Sequence, residues 1–141
     1  MDSIRANVRS CGDTDMAAGR GSGQLDWYRF ALRYVAAEAV LDVGCGLGRG
    51  LTILQSRARQ AHGLDTDPRL ARQDILTIPI QDVAAKSYDI VTSIDVVEHV
   101  EEPEAFVRHL ARIARKGIFI ATPNWTASRC QWPFHLREYT P

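Results

Sequence analysis

The chain has 141 residues, 45% of them hydrophobic and 24% charged, enough for one globular domain with its own core. Its 17 basic residues balance its 17 acidic ones, so no net field draws it to nucleic acid or to an anionic membrane, and no apolar run approaches the roughly 20 residues of a membrane span. Cys11, Cys45 and Cys130 are odd in number and lack metal-ligand spacing, which leaves neither a disulfide framework nor a metal site and points to a reduced, cytoplasmic domain.

Residues 1–23 are rich in Gly, Ser, Asp and Arg without a sustained period, and are expected to form a flexible N-terminal segment ahead of a domain over 24–141. From Gln24 to Ala37 the pattern turns helical, with Leu25, Tyr28, Ala31, Leu32 and Val35 at three- and four-residue spacings. Val40-Leu41-Asp42-Val43 then reads as a buried strand that enters the glycine-rich turn Gly44-Cys45-Gly46-Leu47-Gly48-Arg49-Gly50. Such a turn between strand and helix lets a ligand approach the main chain closely. The dinucleotide pattern G-x-G-x-x-G would need glycine at 49 or 51, where Arg49 and Leu51 stand. No G-K-[ST] follows either, so the pattern left is acid-x-G-x-G-x-G beginning at Asp42.

Leu51 to Gln60 form the next amphipathic helix, and Ala61 to Asp65 a second strand ending in an acid. Asp65 lies about 20 residues past the loop, where a carboxylate can accept hydrogen bonds from ribose hydroxyls, although it could also cap the next turn. Thr66 and Asp67 flank the same place, Pro68 opens a helical turn to about Arg72, and a short third strand comes next at Gln73 to Leu76. Tyr88-Asp89 leads into a fourth strand carrying Ile90, Val91 and Ile94. Glu104 to Arg115 reads as a helix closed by a C-cap at Lys116-Gly117, and Ile118 to Ala121 as the fifth strand. Trp125 to Pro141 has no clear period but carries aromatic and ionisable residues, as a substrate lid does. Alternating strands and helices give an α/β fold with a parallel sheet.

Two motifs carry a family resemblance. The run Asp42-x-Gly44-x-Gly46-x-Gly48 closely resembles the first motif of class I S-adenosylmethionine-dependent methyltransferases. Val97-Glu98-His99-Val100, with Pro103 after it, resembles the small-molecule members related to ubiquinone-type O-methyltransferases, as does Pro133 to Thr140 with their active-site loop. The resemblance covers about residues 25 to 140 and is more specific for the cofactor than for the acceptor. It implies a Rossmann-like sheet of order 3-2-1-4-5 with helices on both faces, S-adenosyl-L-methionine as cofactor, and a methyl acceptor that is a small molecule reacting through O, N or C. By this resemblance Asp42, Gly44, Cys45, Gly46 and Gly48 wrap the methionine part. Arg29 reaches its carboxylate or is simply a solvated helix arginine; Asp65 and Thr66 flank the ribose; Asp74 and Ile75 receive adenine. Ser93 and Ile94 lie beside the methyl group. His99 and His135 are the candidate bases, the alternatives being that Glu98 and His99 only shape a corner and that His135 is a surface residue. The family sheet normally continues with two further strands, for which this chain has no room. Either it is a piece of a longer enzyme, or the fifth strand's edge is covered by the lid, the N-terminal tail or a second copy in a homodimer. A non-catalytic cofactor-binding or partner-binding domain is the alternative to an enzyme.

Overall fold

The computed structural model describes residues 22–129 and 135–141. The flexible segment expected at 1–23 lies almost wholly outside the described residues, as do Cys130, Trp132, Pro133 and Phe134 of the lid. In chain order the elements are α1 (Ser22–Ala31), β1 (Ala39–Val43), α2 (Arg49–Gln55), β2 (Gln60–Leu64), β3 (Ile75–Leu76), β4 (Tyr88–Ile94), α3 (Pro103–Ile113), β5 (Ala114–Ala121) and α4 (Trp125–Ser128). Every strand pair is parallel, and the sheet order is β3-β2-β1-β4-β5, the Rossmann-like order expected. Short 3-10 turns at Pro68–Leu70 and Val97–His99 lie in the connections after β2 and β4.

Both faces of the sheet are covered, which is why its central strands are apolar almost throughout. Successive residues point to opposite faces. Val40, Ile90, Ile94 and Ala121 pack with Tyr28, Ala31, Leu51 and Leu54 of α1 and α2. Leu41, Val43 and Val91 pack with Phe106, Leu110 and Ile113, spaced along the buried face of α3. Four polar residues interrupt this pattern on the central strands, Asp42 on β1 and Asp89, Thr92 and Ser93 on β4, and all four are buried.

The junction of α3 and β5 differs from the sequence expectation. The helix ends at Ile113 and passes directly into the strand, so Gly117 is no C-cap but pairs with Ile90 inside the sheet. The helix's last carbonyls find other donors: the Lys86 backbone N–H bonds the Arg112 carbonyl at 2.9 Å, and Lys86 Nζ bonds the Ala114 carbonyl at 2.7 Å. Arg115 then donates to Asp89 at 3.0 Å and Lys116 lies 3.6 Å from Glu38, which holds the basic pair along the sheet. Likewise α2 stops at Gln55 rather than Gln60, because Gln60 already pairs with Ala39 in β2.

Asp89 joins three segments. Its carboxylate accepts from the Ala39 N–H at 2.9 Å and from Arg115, with Arg59 at 3.7 Å. The Ala39 hydrogen bond, then Arg115, holds its pKa below the ordinary carboxylate value. A carboxylate with a lowered folded-state pKa stabilises the fold above its unfolded pKa, and that contribution disappears as pH falls through the folded value. Thermal unfolding midpoints should therefore drop more steeply below about pH 4 in the wild type than in Asp89→Asn; parallel curves would remove Asp89 as the origin.

Candidate active site at the carboxyl edge of the sheet

Because all the strands are parallel, the segments leaving β1, β2, β4 and β5 emerge along one edge. Beneath that edge lies Asp42, fully buried, with the Tyr28 hydroxyl donating to one carboxylate oxygen at 3.0 Å and the Thr92 hydroxyl to the other at 2.8 Å. Asp42 and Thr92 are direct partners across β1 and β4, so their side chains share the face on which α1 lies. The carboxylate thus ties helix, first strand and fourth strand together directly below the glycine turn.

Gly44, Gly46 and Gly48 all have positive φ, at 78°, 54° and 82°. At Gly44 space is as limiting as conformation, since a Cβ there would lie 2.3 Å from Val96 Cγ2. Gly50 is needed for another reason: its Cβ would fall 2.1 Å from the Tyr28 ring, so α2 crosses α1 only with glycine at this position. The end of β2 fixes the turn. The N–H groups of Gly44 and Cys45 both reach the Leu64 carbonyl, at 2.7 and 3.3 Å, and the Gly46 N–H donates to Asp65 Oδ2 at 2.8 Å. Those three donors are therefore used within the fold. The Cys45 side chain turns away from the edge into the core, against Gly63.

Asp65 accepts a second bond from the Asp67 N–H at 3.1 Å, and Thr66 beside it is exposed. Asp74 lies just before β3, which begins at Ile75 rather than Gln73. Its carboxylate accepts from Arg72 at 2.6 Å and Gln55 at 2.9 Å, and the Arg72 hydrogen bond lowers its pKa. Arg72 also donates to the Leu47 carbonyl at 3.0 Å, so it lies across the glycine turn. Ile75 is buried in the core. Arg29 is turned to solvent and ion-paired with Asp26 at 2.5 Å. Ser93 donates to the Val43 carbonyl at 3.2 Å, and Ile94 is fully buried. Asp95, at the β4 corner with φ of 53°, accepts from Gln24 at the start of α1 at 2.8 Å.

On the other side of the corner, four ionisable side chains converge. Glu98 is fully buried, and Thr122 after β5 donates to its Oε2 at 3.1 Å. His99 Nε2 and His135 Nε2 lie 3.9 and 4.0 Å from Glu98 Oε1, and the two imidazole rings meet edge to face with centroids 4.9 Å apart. His135 Nδ1 is 2.6 Å from Glu138 Oε1, and Ser128 donates to the other oxygen of Glu138. The Glu98 carbonyl accepts the N–H groups of Leu136 and Arg137, at 2.9 and 3.4 Å, so the residues after 134 are fastened to the β4 corner.

The family described as "Methyltransferase domain" matches residues 24–139. The chain belongs to that family. A ubiquinone biosynthesis O-methyltransferase of Bordetella parapertussis is 29% identical to this methyltransferase domain over 121 residues, covering 72% of this chain and 49% of the relative. A Mycobacterium tuberculosis protein named "Probable S-adenosylmethionine-dependent methyltransferase" is 31% identical over 135 residues, 82% of this chain and 48% of the relative. The domain thus spans about half the length of the curated relatives it matches. Among solved structures, the YcgJ protein of Bacillus subtilis shares its fold with a TM-score of 0.66 at 17% identity, covering 85% of this chain and 63% of that one. An S-adenosylmethionine dependent methyltransferase from Mesorhizobium loti does so with a TM-score of 0.61 at 18% identity, over 74% and 54%.

Several residues of the methyltransferase domain's edge are missed by periodicity and motif. Tyr28 reads as one apolar helix position, yet its hydroxyl serves Asp42; Thr92 reads as one polar residue in a strand. Their common signal is a polar atom on a buried face, which asks for a partner on the facing element. Tyr28→Phe removes a hydrogen-bond donor to a buried carboxylate and should lower stability by about 1.5–3 kcal/mol. Urea unfolding reads this out, and an unchanged midpoint would show that the hydroxyl does not support Asp42.

Proposed function

We propose that the domain transfers the methyl group of S-adenosyl-L-methionine to an O, N or C atom of a small molecule. The observation that carries this reading is the pairing, on one sheet edge, of the Asp65-locked glycine turn with the Glu98, His99 and His135 cluster. The glycines keep the turn's main chain free of side chains, and at Gly44 and Gly48 a Cβ would collide with Val96 and Arg72. When bound, S-adenosylmethionine supplies a methyl group made electrophilic by its sulfonium charge.

The chain's own residues then hold and orient. Gly44, Gly46 and Gly48 shape the methionine side of the cradle with Asp42 beneath them, and Asp65 with Thr66 serves the ribose. Ser93 and Ile94 border the methyl through main-chain atoms, since their side chains are buried. Arg29 takes the cofactor carboxylate by exchanging it for Asp26, and Asp74 takes adenine by releasing Gln55. Displacement at a methyl carbon needs alignment above all, and a rigid edge provides it. His99 or His135 accepts the proton that an oxygen or nitrogen acceptor releases.

Isothermal titration of the chain with S-adenosylmethionine should show saturable binding, and a labelled methyl group should pass to some member of a metabolite panel. Asp65→Ala should weaken binding by about 10- to 100-fold while the circular dichroism spectrum stays unchanged. Equal affinity in a folded variant would overturn the role of Asp65, and no binding by the wild type would overturn the whole reading. Binding with no transfer to any acceptor would favour a cofactor-binding domain without catalysis.

A further inference from the structure

We propose that Arg72 is a contact and specificity residue for the cofactor, its guanidinium plane forming the surface on which the adenine ring lies. This role rests on the proposed function, which leaves open what the face of the ring meets. Ile75, the apolar residue expected there, is only 2% exposed and cannot present a face to a ligand. It lies beneath the glycine turn, with its Cδ1 3.3 Å from the place a Cβ on Gly48 would take. Arg72 stands over the same glycine, since that Cβ would collide with its Nη2.

The placement of Arg72 follows from a short connection. Between β2 and β3 lies the 3-10 turn Pro68–Leu70, after which the main chains of Arg72 and Ile75 exchange N–H···O bonds at 3.2 and 3.1 Å. This tight turn sends the Arg72 side chain back across the glycine turn. Its Nη1 donates to the Leu47 carbonyl at 3.0 Å and its Nε to Asp74 Oδ1 at 2.6 Å. Two bonds in different directions fix the orientation of a planar group, so its ordering cost is met before a ligand arrives. The Arg72 side chain is nevertheless 45% exposed, and Leu47 beside it is 37% exposed. A flat cation and an aliphatic side chain thus lie open together at the glycine turn.

A guanidinium stacks on aromatic faces through its charge and its planarity, and bases outside a duplex are held in this way. Asp74 borders the platform and gives it selectivity. One of its oxygens stays on Arg72, while the other, now accepting from Gln55 at 2.9 Å, can accept from an exocyclic amine instead. A purine with a carbonyl at that position would set one oxygen lone pair against another. Platform and rim together therefore select adenine over hypoxanthine.

The test uses the full chain with S-adenosylmethionine, adenosine and inosine as calorimetric probes. Arg72→Ala and Arg72→Lys should each weaken S-adenosylmethionine and adenosine by about 3- to 30-fold, and inosine should bind the wild type more weakly than adenosine does. Lysine keeps the charge but not the plane, so wild-type affinity in Arg72→Lys would overturn the stacking. A residue that merely braces the turn is separated by nitrogen-15 NMR of the wild type. Adenosine should move the Arg72 Nε–H resonance upfield through the ring current of the stacked base, the resonance being assigned by its loss in Arg72→Ala. An unmoved resonance with adenosine bound would overturn the contact even if both variants bind weakly. If S-adenosylmethionine binds wild type and Arg72→Ala alike, the role of Arg72 fails and the proposed function stands; if the wild type binds neither S-adenosylmethionine nor adenosine, both fail.

Discussion

A carboxylate in the core is the constraint on which the rest of the domain depends. Asp42 sits on the central strand with no exposure, and an ion in that position is costly unless hydrogen bonds replace water. Tyr28 and Thr92 replace it from two different elements. The requirement therefore fixes where α1 lies on the sheet and which residue of β4 faces β1. Tyr28 in turn needs room for its ring, and Gly50 leaves that room at the start of α2. Helix, strand and turn are placed by one chain of contacts, and the glycine turn inherits its position from it.

The edge above is assembled by a second set of contacts, each made across elements distant in sequence. β2 holds the turn through Leu64 and Asp65, Val96 fills the space under Gly44, and Glu98 gathers the residues after 134. A rigid cradle and a polar cluster therefore face the same side without needing a moving part. The Asp65 contact also explains how a turn with three positive-φ glycines keeps one shape, since its N–H groups at 44, 45 and 46 are all engaged.

Much of this was legible from the residues alone. The period-2 and period-3.6 patterns place the strands and helices, and the spacing of Asp42, Gly44, Gly46 and Gly48 separates this loop from dinucleotide and phosphate loops. The family assignment rests on the same residues. Boundaries were harder where a side chain outcompeted a local signal. Lys116-Gly117 looks like a helix end, but Lys86 satisfies the helix carbonyls first and lets Arg115 and Lys116 join the sheet. Asp74-Ile75 resembles an acid-apolar pair that receives adenine, yet the strand begins after Asp74, and Arg72 and Gln55 already hold its carboxylate. The Glu98, His99 and His135 cluster escapes a search for ligand spacing because one member is 36 residues from its neighbour in the chain and reaches it only through the fold.

The loopless passage from α3 into β5 has a bearing on how this domain can vary. Phe119 and Ala121 face α1, while Ile120 faces α3. With Ile113 locked in the core on one side and Ala114 paired to Tyr88 on the other, there is no slack to absorb a length change. A single inserted residue would turn the strand over and exchange its two faces, sending Phe119 towards α3 and Ile120 towards the α1 rings. Among the joints of the sheet this one is intolerant of insertion, so lineages of this domain should differ in length elsewhere, in the open stretch between Asp65 and Tyr88.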